Sequence, residues 1–146
     1  MMDIKEFIIR IEQQQKEQEA LYHNAAVKYG LSDTALWVLY HVSEDSDNIT
    51  QQDLCRQGCF AKQTVNTAVI RLVKQGILEL IPIPGTRNHK RLRLTPAGWA
   101  LVNRTTANLK KAEESAYGRF TEAELQAYLD IAGRLNACLR EETEKL

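Results

Sequence analysis

Apolar residues recur along most of this chain at intervals of three and four, the spacing of one helical face, and give way to strict alternation in the return strand of a basic segment near residues 90–94. Ile4, Phe7, Ile8 and Ile11 form the first helical stripe, which resumes at Leu21, Tyr22 and Ala25 and predicts one long helix over about 3–29. The glutamine-rich EQQQKEQE at 12–19 falls inside it as a solvated face. Leu36, Trp37, Leu39 and Tyr40 crowd a second helix, 32–41, so densely that it should be buried nearly all round. The run SEDSDN at 43–48 then reads as an exposed acidic loop.

Two short helices come next. Thr50 can cap the first with Asp53 at its N3 position, an acidic form of the capping box, and Gly58 and Cys59 break it. In the second, Val65, Ala68, Val69 and Leu72 fall on one face, and Gly76 sits where a left-handed residue would end the helix. The opposite face carries Lys62, Gln63, Asn66, Thr67 and Arg71, each of which offers a hydrogen-bond donor. With Thr64, they have the chemistry to meet phosphates and base edges in a DNA major groove, Arg71 and Lys74 as phosphate holders.

Beyond Gly76 the pattern changes period. Leu78, Leu80 and Ile81 lead to Pro84-Gly85, a turn signal, and Leu92 and Leu94 then alternate with Arg91 and Arg93, the mark of a half-buried strand. Thr95 is placed to cap a new helix with Pro96 at its first position. A helix-turn-helix over 50–75, a two-stranded ribbon over 77–95 and a freshly capped helix make the order of a winged helix. The predicted fold class is therefore mainly α with a small β-hairpin wing. Arg87, His89, Lys90 and Arg91 lie in or beside the tip, 84–91, placed to clasp flanking backbone or minor groove.

Charge placement sharpens this picture where net charge does not. The chain has 19 basic and 19 acidic residues, yet between Arg56 and Arg93 eight are basic and only Glu79 is acidic. Such segregation lets one face approach DNA while the rest stays acidic and soluble.

The segment resembles the MarR family of bacterial transcriptional regulators. The resemblance rests on Leu54-Cys55 followed by Thr64-Val65, on Gly76-Ile77 closing the second helix, and on Leu94-Thr95-Pro96-Ala97-Gly98, close to the family's Leu-Thr-x-x-Gly. Two positions depart from the family's pattern. Thr86-Arg87-Asn88 stands where many members have Asp-Arg-Arg, removing one arginine and its orienting carboxylate, and Ala61 replaces a common Ser at the start of the recognition helix. Losing a hydroxyl cap costs about 1 kcal/mol, so that helix must rely on packing.

Long apolar helices at both ends exceed what a winged-helix core needs. Thr121 and Glu124 form a capping box for the last of them, whose stripe runs Leu125, Tyr128, Leu129, Ala132, Leu135, Leu139. These ends, 1–30 and 100–146, are expected to bury one another across a two-fold axis, with 31–99 as the DNA-binding lobe of a single 146-residue domain. The expected partners are a second copy of the chain and a double-stranded palindromic operator with half-sites about one turn apart. The resemblance further implies a small aromatic or anionic effector bound between dimer helices and lobe, shifting the spacing of the recognition helices. Tyr22, His23, Trp37, Tyr40 and His41 are its candidate walls, although their spacing fits a core equally well.

Other chemistry finds little support. The three histidines are isolated, no Cys-x-x-Cys spacing occurs, and neither a Gly-rich phosphate loop nor a nucleophile elbow is present, so no metal, no cofactor and no enzymatic activity are expected. No apolar run reaches membrane-spanning length and the start lacks a signal-peptide pattern, so no membrane association and a cytoplasmic location are expected. Cys55 reads as an inert buried thiol. Peroxide sensing through a cysteine in the first helix, as in one branch of the family, is disfavoured because no cysteine precedes Cys55, but Cys59 beside the recognition helix leaves a thiol-based redox switch open. A winged-helix module that binds protein instead of DNA is the other alternative.

Overall fold

The computed structural model describes residues 1–58 and 60–146. In chain order its elements are α1 (Ile4–Lys28), α2 (Asp33–Glu44), α3 (Gln51–Gly58), α4 (Lys62–Lys74), β1 (Leu78–Pro82), β2 (Lys90–Leu94), α5 (Pro96–Arg104), α6 (Thr106–Tyr117) and α7 (Glu122–Thr143). They fall into two compact units, Met1–Leu109 and Lys110–Leu146. The predicted class, helical with a hairpin wing, is the one found.

In the first unit, the apolar stripes of α2 to α5 and the hairpin meet in one core, while the stripe of α1 stays largely exposed. Val38, Leu39 and Val42 of α2 meet Leu54 of α3, Val65, Val69 and Leu72 of α4, Leu78, Leu92 and Leu94 of the hairpin and Val102 of α5, all buried. The connections are set by local chemistry. Ser32 caps α2 by accepting from the Ala35 amide at 3.1 Å. Thr50 and Asp53 close the expected capping box: the Thr50 amide donates to the Asp53 carboxylate at 2.9 Å, and the Asp53 amide to the Thr50 hydroxyl at 3.2 Å. Gly76, at φ +74°, ends α4 in a Schellman motif, with the Ile77 amide donating to the Leu72 carbonyl at 2.9 Å and Gly76 to Val73 at 3.0 Å.

The hairpin is antiparallel, pairing Leu78 with Leu94, Leu80 with Leu92 and Pro82 with Lys90. Its Pro84-Gly85 turn is of the kind that needs a left-handed third residue, and Gly85 has φ +78°, with the Thr86 amide donating to the Ile83 carbonyl at 3.3 Å. Thr95 caps α5 by accepting from the Gly98 amide at 3.0 Å, with Pro96 in the first turn.

Three expectations need correcting. The second helix runs to Glu44 instead of stopping at 41, so two residues assigned to the acidic loop are helical, and the Ser43 hydroxyl donates to the Tyr40 carbonyl at 2.8 Å. Nor is α2 buried all round: one face packs into the core, while Trp37, Tyr40 and His41 are half-buried on the other. Cys55 is half-buried too, packed at the margin of the core.

The helical run after the wing also breaks where the sequence shows no Gly or Pro. Thr105 leaves helical geometry at φ −129°, ψ −91°, with its hydroxyl donating to the Leu101 carbonyl at 2.7 Å. This local bond competes with helix continuation and separates α5 from α6.

In the second unit, α7 opens with the predicted capping box of Thr121 and Glu124. No residue of α7 is buried. Among the described residues no helix is long and apolar enough to cross a membrane.

Candidate nucleic-acid interface

The candidate surface is built on α4 and the hairpin, both held by the core just described. Val65, Val69 and Leu72 point α4 inward, and this leaves Lys62, Gln63, Thr64, Asn66, Thr67, Arg71 and Lys74 exposed. The wing likewise exposes Arg87, His89, Lys90 and Arg91 while Leu92 and Leu94 are buried. As anticipated, Ala61 at the N-cap of α4 makes no side-chain capping bond.

Ion pairing divides the eight cations of this region. Arg56 is paired with Asp53, and Arg93 donates through Nε to Asp47 Oδ1 at 2.6 Å. The remaining six, Lys62, Arg71, Lys74, Arg87, Lys90 and Arg91, are exposed and pair with no described acidic residue. The uncompensated charge is thus concentrated on the recognition helix and wing.

Asp47 was not singled out from sequence, yet it ties the acidic loop to the wing. Its backbone is left-handed, φ 78°, a conformation Asp tolerates better than most residues, and its amide donates to the Leu92 carbonyl at 3.0 Å. The Leu92 amide in turn donates to the Ile49 carbonyl at 2.8 Å, and Thr50 forms a β-bridge with Arg91. A third strand-like segment therefore flanks β2 and fastens the wing to the start of the helix-turn-helix. Asp47 supplies a wing carboxylate, but to Arg93 and not to Arg87.

Two polar residues of α4 are already engaged. The Thr67 hydroxyl donates to the Gln63 carbonyl at 3.0 Å, and Gln51 Nε2 donates to Asn66 Oδ1 at 3.2 Å. Gln51 is a second residue missed from sequence, because nothing in the first position of a short helix signals a reach across to the next. Gln63, Thr64, Thr67 and Arg71 also line an open cleft of about 580 Å³ with Ser32 and Thr34 at the start of α2.

At the base of the motif, Asp53 holds its charge unusually well. The Thr50 backbone amide, foremost, holds its carboxyl below the ordinary 3.8; partial burial opposes this, and the Thr50 hydroxyl and Arg56 assist.

The proposed effector walls are partly assembled. Tyr22 and Trp37 have ring centroids 5.1 Å apart, Trp37 and Tyr40 5.2 Å, and Trp37 and His41 6.1 Å. His23 instead meets Asp33, Nδ1 to Oδ1 at 2.8 Å. Tyr22, His23 and Trp37 line an open cleft of about 470 Å³ with Glu19, Asp33 and Phe60; Tyr40 and His41 are not among its walls. Cys59 lies outside the described residues. Among those described, no group of His, Cys, Asp and Glu could hold a metal ion.

A helix-turn-helix packed against a basic hairpin defines a winged helix-turn-helix protein. Residues 29–87 match the MarR family model. A MarR family regulator from Neisseria meningitidis shares the fold at TM-score 0.81 and 18% identity, over 99% of this chain and 100% of that one. A putative MarR family transcriptional regulator from Listeria monocytogenes, complexed with 26mer DNA, matches at TM-score 0.71 and 18% identity, over 97% and 92%. Staphylococcus aureus MarR in complex with salicylate and kanamycin matches at TM-score 0.69 and 14% identity, over 94% and 93%. No curated protein matches the chain. The sequence likeness to the MarR family thus covers residues 29–87, and the likeness of the rest of the chain to these structures is one of fold.

Proposed function

We propose that this chain is a homodimeric, sequence-specific DNA-binding repressor that occludes a promoter. The observation that carries this reading is the group of six exposed cations on α4 and the wing that pair with no described acidic residue. Phosphate neutralisation by such residues drives association and fixes register, while base-edge contacts from Gln63, Thr64, Asn66 and Thr67 select sequence. The first turns of α4 enter the major groove, Arg71 and Lys74 hold phosphate, and Arg87, His89, Lys90 and Arg91 clasp the flanking backbone or minor groove.

Dimer formation rests on apolar surface that each unit leaves open. Ile4, Phe7 and Ile8 of α1 are exposed, and in α7 so are Tyr128 (72%), Leu129 (63%) and Leu139 (53%). Burial of these faces across a two-fold axis sets two recognition helices about one turn apart. A small aromatic or anionic effector at the Tyr22, Trp37, Tyr40 and His41 cluster, with His23 at its edge, shifts that spacing and releases DNA. Support comes from the S. aureus MarR, which is in complex with the aromatic anion salicylate.

Selection of random duplexes by the purified protein tests the reading. Enrichment of a palindrome, bound with an affinity that falls steeply with salt, is expected. Weak, sequence-blind binding would transfer the surface to a protein-interaction role.

A further inference from the structure

Asn66 lies in the second turn of α4, and its side-chain oxygen is already occupied: Gln51 Nε2 donates to Asn66 Oδ1 at 3.2 Å. The donor is well anchored. Gln51 is the first residue of α3, immediately after Thr50, whose backbone amide and hydroxyl are both held by Asp53. No described group accepts from the Asn66 amide nitrogen.

We infer that Gln51 is a positioning residue for base recognition, which orients the Asn66 amide so that it meets DNA as a hydrogen-bond donor. The inference rests on the reading of α4 as a recognition helix. An unrestrained asparagine pairs with adenine in a bidentate manner, its oxygen accepting from N6 and its nitrogen donating to N7. With its oxygen held toward α3, Asn66 turns its NH2 away from that helix and is matched best to edges that only accept, guanine O6 and N7 or thymine O4; adenine N7 also accepts, but the adjacent N6 donor is then left unmet. Gln51 therefore sets base preference without touching a base.

The chemistry of a carboxylate makes the inference testable by reversal. Glu at position 51 can only accept, so it draws the Asn66 NH2 toward itself and turns the oxygen to the groove, where it suits the donors cytosine N4 and adenine N6. Duplex selection is run with wild type, Gln51→Ala, Gln51→Glu, Asn66→Ala and the Gln51→Glu/Asn66→Ala double variant, with thermal unfolding confirming that each is folded. Wild type should select guanine or thymine at one position of each half-site, Gln51→Ala should drift to adenine, and Gln51→Glu should move to cytosine or adenine, each by about fivefold or more. On the Asn66→Ala background, Gln51→Glu should leave that preference unmoved. General weakening is expected from the added negative charge, so preference and not affinity is the readout.

Identical base preference in wild type, Gln51→Ala and Gln51→Glu would overturn the inference while leaving the DNA-binding reading intact. A shift that persists without Asn66 would also overturn it, since Gln51 would then act by another route. Failure of wild type to select any sequence would overturn the DNA-binding reading itself, and this inference with it.

Discussion

On the proposed reading, single side chains on this surface divide into those that hold DNA and those that read it. Arg87 sits exposed at the wing with no described carboxylate beside it, so it is available to a phosphate but not rigidly aimed. Arg87→Ala should weaken binding to all duplexes alike and reduce the salt slope by about one, measured as affinity against salt concentration. Asn66→Ala should instead relax sequence preference at one half-site position, seen by repeating the duplex selection. Asp53 belongs to folding. Its carboxyl is held below the ordinary 3.8, chiefly by the Thr50 amide, so its stabilisation is complete above 3.8 and drains away as pH falls through the lower folded value. Asp53→Asn should accordingly be less stable than wild type at neutral pH, with the gap closing as pH falls below 3.8 in urea unfolding. A gap that does not depend on pH would show that the charge contributes nothing.

Elements are fixed mostly by their ends. Gly98 is buried where α5 begins, and a Cβ there would run into the Ile77 carbonyl and meet Leu94 at 3.0 Å. Gly98→Ala should destabilise the lobe by about 1–3 kcal/mol through overpacking, read as a lowered denaturation midpoint. The glycine of the Leu-Thr-x-x-Gly signature thus marks close packing between α5 and the start of β1. Caps and turns of this kind were legible in the sequence because they depend on neighbours: Thr50 with Asp53, Gly76, Pro84-Gly85 and Thr95-Pro96 all act where expected. Contacts between residues far apart were not. The Asp47 to Arg93 pair spans 46 positions and the Gln51 to Asn66 bond 15, and no local periodicity carries either. The break at Thr105 escaped for a different reason, since a threonine that bonds to its own helix resembles any helical threonine until its hydroxyl is placed.

For the whole molecule, the balance of charge and exposed apolar surface is what points to assembly. An overall net charge of zero hides a basic lobe surface, and apolar side chains left open on α1 and α7 supply the surface that the proposed dimer would bury. Replacing Leu129 and Leu135 together by Asp should shift the protein toward monomer in sedimentation and weaken operator binding, because two lobes no longer act as one ligand. The most direct test of the account is the sedimentation mass of the complex formed with a duplex carrying one selected palindrome. Two chains per duplex is the predicted result; a single chain per duplex, or no complex at all, would contradict it.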